Sequence, residues 1–131
     1  MSRVFEEYMN EFVEKDRFAS FLGIHPVECS KGRAKVLLDI IEDHLNGAGV
    51  VHGGAIFSIA DFAFALASNS KGSKALSIDA SISFFKGVNK GRIFAEAYEI
   101  SSSNRLASYR IDVTHEDGSL LAAFQGTVYK K

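Results

Sequence analysis

Cysteine occurs once in these 131 residues, at Cys29, and proline once, at Pro26. A lone cysteine closes no intrachain disulfide and supplies no Cys-x-x-Cys pair, so the chain reads as intracellular, in keeping with a cytoplasmic protein. Cys29 itself reads as a small strand residue, not a nucleophile. One proline, no internal repeat and no Ser- or Gly-rich tract leave no room for a linker, and residues 1–131 read as a single domain. An excess of one charge is lacking too: 15 Lys and Arg against 16 Asp and Glu give a net charge of −1. That balance excludes a basic face for nucleic acid and a polybasic arm for a membrane surface. The most apolar run, residues 55–67, is too short to span a bilayer and is interrupted by Asp61. The opening stretch, "MSRVFEEYMNEFVEKDRF", is amphipathic and charged, without the apolar core of a signal peptide.

What is present is an ordinary soluble composition, 47% hydrophobic and 24% charged, enough for a core without staples. Residues 3–15 show an apolar stripe at helical spacing through Val4, Phe5, Tyr8, Met9 and Phe12. A short helical turn is expected over 16–21. "GIHPVECS" and "GRAKVLLDII" read as two strands about a Ser30-Lys31-Gly32 turn, with Ala34, Val36, Leu38 and Ile40 alternating against Arg33, Lys35 and Asp39. Pro26 suits an edge strand or its start. After a loop over 42–51 comes a helix from about 52 to 68, apolar almost all round and so expected to be buried on every side, with Gly72 as its C-terminal cap. The remainder reads as strands. "ALSIDASISFF" places Leu76, Ile78, Ala80, Ile82 and Phe84 on one face and Ser77, Asp79, Ser81 and Ser83 on the other. "GRIFAEAYEIS", "RLASYRIDVTH" and "SLLAAFQGTVYK" follow, joined by short turns that imply antiparallel neighbours. His25 and His115 read as surface residues. The class is α+β: one antiparallel β-sheet wrapped around one long central α-helix.

The central helix carries one carboxylate, Asp61, among Ala, Ile, Phe and Leu. A buried, unpaired carboxylate costs several kcal/mol, so something must offset it. Asn46-Gly47 and His52-Gly53-Gly54 lie just upstream. A helix beginning at Gly53 or Gly54 offers free backbone N–H groups and a partial positive charge, suited to an oxyanion. Asp61 is eight residues beyond Gly53, roughly 12 Å along a helix axis, too far to serve a carbonyl held at its own helix start. Two antiparallel copies of the helix about a two-fold axis remove the difficulty, so the spacing predicts a homodimer with shared sites. Asp43, His44, His52 and Asp61 lack a recognised ligand spacing, so no metal is expected. The glycines lack the Gly-Lys-Ser/Thr of a P-loop.

"NGAGVVHGGAIFSIADFAFALASNS", with "GSLLAAFQGTVYKK" at the end, resembles the hot-dog-fold acyl-CoA thioesterases of the phenylacetate-degradation (PaaI-like) family. The resemblance covers nearly the whole chain. It implies hydrolysis of an acyl- or aryl-acyl-CoA to free acid and CoA, with no cofactor beyond the CoA of the substrate, and a homotetramer of two dimers. By the same resemblance Asp61 is the general base or nucleophile, and the Gly53 N–H polarises the thioester carbonyl. Asn46 and His52 position the thioester or the water, His52 alternatively only holding its turn, and Ser77 aids the water. It implies a CoA channel along Gly54, Asp79, Phe84, Phe85, Lys86, Lys90, Ser102, Ser103, Asn104 and Arg105, with Lys86, Lys90 and Arg105 meeting phosphates. The chain departs from the family pattern at Gly87, where proline is frequent, and at Asn104, where glycine is. The alternative class is a non-catalytic acyl-CoA-binding protein of the same fold; no hydratase motif is present.

Overall fold

Six strands form one wholly antiparallel sheet in the computed structural model, which describes residues 3–131, with side chains from Glu6 onward. Helices α1 (Arg3–Lys15) and α2 (Arg17–Leu22) precede strands β1 (Ile24–Ser30) and β2 (Arg33–Asp39). A 3₁₀ turn, Glu42–His44, leads to helix α3 (Gly53–Asn69). Strands β3 (Ala75–Phe84), β4 (Arg92–Ser102), β5 (Leu106–His115) and β6 (Leu120–Lys130) complete the chain. The spatial order is β1-β2-β4-β5-β6-β3, so β1 and β3 are the sheet's two ends. Pro26 sits on the end strand β1, where its missing N–H costs no ladder bond, next to a bulge at Val27. This is the α+β arrangement that the pattern of elements implied, and the hot-dog fold that the family resemblance implied.

The alternation read in β2 is the core face: Ala34, Val36 and Leu38 are buried. Ile93, Ala95 and Ala97 of β4 and Ala107, Tyr109, Ile111 and Val113 of β5 continue it across the sheet. Alanines at the sheet centre let α3 approach closely, and each large aliphatic side chain buried between them contributes about 1.5–3 kcal/mol. Phe64 of α3 lies on Phe124 and Tyr109, with ring centroids 5.6 and 5.8 Å away. Gly126 makes room for it: a Cβ there would stand 2.7 Å from the Phe64 ring.

The structure corrects several expectations. α3 is not buried on every side. Gly54, Phe57, Ser58, Asp61 and Ala65 recur at helical spacing on a face that is exposed or half-exposed in the single chain. In β3, a bulge at Ile78 shifts the phase, because Ser77 pairs Val128 whereas Asp79 pairs Thr127. Leu76 therefore leaves the face of Ala80, Ile82 and Phe84, and Ser77 joins it. The helix ends at a Ser70 cap, with Gly72 taking a left-handed turn (φ 85°) two residues later. His115 is mostly buried: its Nε2 bonds the Lys90 carbonyl at 2.9 Å, and Asp117 lies beside Nδ1. In α1, Met9 is buried and Phe12 half-buried, but Tyr8 is exposed; Val4 and Phe5 lie outside the described side chains. Among the described residues no helix is long and apolar enough to cross a membrane.

Candidate active site

The approach to α3 is organised by side chains that bond their own backbone. Asn46 Oδ1 accepts from the N–H groups of Ala48 (2.9 Å) and Val50 (3.3 Å), closing the loop on itself. The Val51 N–H donates to Val88 (2.9 Å) and the His52 N–H to His44 (2.8 Å), which ties the helix start to the strand-following loop at 85–91. His52 is the N-cap of α3. Its Nδ1 accepts from the Gly54 N–H at 2.7 Å, so the neutral ring carries its proton on Nε2. Gly54 is glycine for this reason, since a Cβ there would lie 2.9 Å from that nitrogen. The His52 carbonyl takes the N–H groups of Ala55 and Ile56.

One donor of the first turn is then left over. The Gly53 N–H has no acceptor among the described residues. It opens on a cavity of about 350 Å³ lined by Val50, Val51, Gly53, Ile56, Phe84, Phe85, Lys86, Gly87, Val88 and Leu121. The Phe84 ring covers Gly53, 3.4 Å from where a Cβ would be. The N-terminal end of α3, with one unused donor beside an apolar wall, can polarise a carbonyl.

Asp61 faces elsewhere. It lines a second cavity, of about 320 Å³, with Phe57, Ser58 and Phe62 of α3, Asp16, Phe18 and Ala19 at α2, and Ile24 of β1. The two cavities share no lining residue. Asp61 is exposed in the single chain, yet the apolar side chains crowding its carboxyl push its pKa above the ordinary aspartate value, and the charge of Asp16 adds to the rise. Ser58, three residues before Asp61 on the same helix face, donates to the Gly54 carbonyl at 2.7 Å. Its oxygen lone pairs stay available to a water.

The other expected residues divide by location. Phe84, Phe85 and Lys86 are gathered at the Gly53 cavity, Lys86 reaching Asp117 at 4.0 Å. Ser77 is exposed on the sheet's inner face, and Asp79, beyond the bulge, on the outer one. Lys90 is exposed, its carbonyl held by His115, and does not line that cavity. Ser102, Ser103, Asn104 and Arg105 form the β4–β5 turn at the opposite end of the sheet, roughly a strand length of 30 Å from Lys90 in the same chain. There Arg105 donates to the Tyr129 hydroxyl (2.8 Å) and Lys130 to Ser102 (2.8 Å). The two groups of expected CoA-binding residues therefore lie at opposite ends of the sheet within one chain. His44 is buried with both ring nitrogens engaged, by the Ile41 N–H (3.1 Å) and the Leu22 carbonyl (2.8 Å). Among the described residues no group of three His, Cys, Asp or Glu is placed to hold a metal ion. The Cys29 thiol is pushed up to about 11 by burial, as suits an inert strand residue.

Sequence reasoning missed Ser58 and Asp16. The three-residue spacing from Asp61 was enough to find Ser58. Asp16 carries no such signal, since its place beside Asp61 depends on how α2 folds back.

Comparison with known proteins gives a consistent outcome. The family model of the Thioesterase superfamily matches residues 48–122. A candidate esterase of Archaeoglobus fulgidus is 40% identical over 130 residues, 98% of this chain and 84% of that protein. The acyl-coenzyme A thioesterase PaaI of Escherichia coli is 31% identical over 118 residues, 89% of this chain and 84% of that protein. The solved structure of the E. coli PaaI protein superposes with a TM-score of 0.92 at 28% identity, covering 97% of this chain and 93% of that one. A variant of the phenylacetic acid degradation protein PaaI from Thermus thermophilus gives a TM-score of 0.85 at 38% identity, covering 88% of this chain and all of that one.

Proposed function

The chain belongs to the Thioesterase superfamily and is a thioester hydrolase, and from that premise we propose that it hydrolyses an acyl- or aryl-acyl-CoA to the free acid and CoA in a site built from two copies of the chain. The observation that carries the two-copy reading is that the Gly53 donor and the Asp61 carboxylate open on separate cavities of one chain. The helical rise puts them roughly 12 Å apart. A second α3 running antiparallel to the first brings each Asp61 to the other copy's Gly53 turn. The end strand β3 supports such pairing: its outer edge is free, and Leu76, Ile78 and Phe84 are exposed along it. The same pairing carries the Ser102–Arg105 turn of one copy toward the Gly53 end of the other, where Lys86 and Arg105 together suit the phosphates of CoA.

In the proposed reaction the Gly53 N–H polarises the thioester carbonyl. Asp61 takes a proton from water as the water oxygen bonds the carbonyl carbon; the C–S bond then breaks and the proton passes to the departing thiolate. As nucleophile, Asp61 instead forms an acyl anhydride that water cleaves. Water and the CoA thioester are the only reactants in either route. His52 holds the turn through Gly54, and Asn46 holds the loop before it. The relatives named for PaaI and phenylacetic acid degradation make an aryl-acyl thioester the first class to test. A cytoplasmic homodimer, paired again into a homotetramer, is the proposed assembly.

The test is thiol release from a panel of acyl-CoAs, phenylacetyl-CoA included, by the wild type and Asp61→Asn. Hydrolysis by the wild type that falls about a thousandfold or more in the variant is expected for loss of the base or nucleophile. Binding without turnover by the wild type would favour the non-catalytic acyl-CoA-binding reading.

A further inference from the structure

The cavity at Asp61 holds a second carboxylate. Asp16 lines it from the start of α2, and no Lys, Arg or His lines it. The position of Asp16 is fixed three times over: its N–H donates to Val13 (3.1 Å), its carbonyl accepts from Ser20 (3.2 Å), and its Oδ1 accepts from the Ala19 N–H (3.0 Å) as the helix cap. The second carboxylate oxygen has no protein partner among the described residues. The charged groups on neighbouring elements do not neutralise the pair. Lys15 of α1 is bound to Glu11 at 2.8 Å, and Arg17 of α2 and His25 of β1 are exposed and line no part of the cavity. Besides Asp61, the α3 residues that line the cavity are Phe57, Ser58 and Phe62, none of them charged.

We propose that Asp16 is a positioning residue of this site, a non-reacting carboxylate held by its own helix cap where its charge strengthens Asp61 as a proton acceptor. This rests on the reading of Asp61 as the reactive carboxylate. An aspartate left at its ordinary proton affinity is a weak base near neutrality, and a neighbouring like charge is one of the few ways a fold can make it stronger. The rise at Asp61 attributable to Asp16 has the sign this role requires. The cap accounts for an oxygen-bearing side chain at position 16, but not for a charged one, because Asn and Ser cap helices about as well.

That equivalence supplies the experiment. Asp16→Asn keeps the cap oxygen and removes the charge; Asp16→Ser does the same with a smaller side chain and stands in if the first variant misfolds. Protein labelled with carbon-13 at Asp carboxyls is titrated by NMR, and the Asp61 signal is identified by its loss in Asp61→Asn. The Asp61 midpoint is expected to move to lower pH in Asp16→Asn, with the melting temperature unchanged. In thiol-release assays with phenylacetyl-CoA, the acidic limb of the kcat/KM–pH profile is expected to move to lower pH in the same variant. An unmoved Asp61 midpoint in a folded Asp16→Asn protein overturns the proposal. The NMR midpoint is read without turnover, so it decides the role of Asp16 separately. Full hydrolysis by Asp61→Asn would instead overturn the reading of Asp61.

Discussion

At the scale of single residues, the candidate site depends on which backbone donors the chain consumes and which it leaves. His52 uses up the Gly54 N–H and its own carbonyl, and Gly53 keeps a free donor. Gly53→Pro isolates that donor. Proline has no N–H, fits the first position of a helix, and tolerates the extended conformation of His52 before it (φ −59°, ψ 137°). The variant should fold and melt near the wild type while kcat drops by about 10²–10³, the usual cost of losing an oxyanion donor. Gly53→Ala, which keeps the N–H and adds a Cβ against the movable Phe84 ring, should lose far less; equal losses in the two variants would point to crowding instead. Much of this was legible beforehand. The spacing from His52-Gly53-Gly54 to Asp61 is a property of the sequence, and helical rise turns it into a distance. Asp16 was not legible, because its relation to Asp61 is made by packing between elements distant in sequence.

At the scale of elements, the strands were legible where one face is buried and the other solvated. β2 alternates as read because the sheet flanks it on both sides and α3 covers one face. β3 alternates equally well in sequence, yet the phase slips at Ile78. Pairing with β6 decides the phase there, and period-two patterning carries no trace of one extra residue. The exposed stripe on α3 is not legible for a related reason: Gly54, Phe57 and Ala65, three of its five residues, count as apolar whether or not anything covers them. The β6 glycine shows how finely the helix–sheet contact is fitted. A side chain at Gly126 meets the Phe64 ring at 2.7 Å and the Asp79 carbonyl at 3.1 Å. Gly126→Val should therefore destabilise the fold by about 1–3 kcal/mol, seen as a lower midpoint in urea at unchanged slope. A paired Phe64→Leu change should recover part of the loss by relieving the same contact.

At the scale of the whole molecule, the Gly53 donor and the Asp61 carboxylate of a single chain open on different cavities, and the end strand β3, whose Phe84 lines the Gly53 cavity, has a free edge. The proposed symmetric pairing would account for both features. The consequence is a complementation that a one-chain site cannot produce. Chains carrying Asp61→Asn keep an intact Gly53 turn, and chains carrying Gly53→Pro keep an intact Asp61. Each homo-oligomer should be inactive. Mixed by unfolding and refolding together, half of the pairs are mixed, and each mixed pair holds one complete site and one doubly broken site. Activity should return to about a quarter of the wild-type value at equal chain concentrations. It should also follow the fraction of mixed pairs as the input ratio is varied, and be lost on dilution below the pairing constant. If the mixture stays as inactive as its components while native-state mass measurement shows mixed pairs, the donor and the carboxylate serve within one chain.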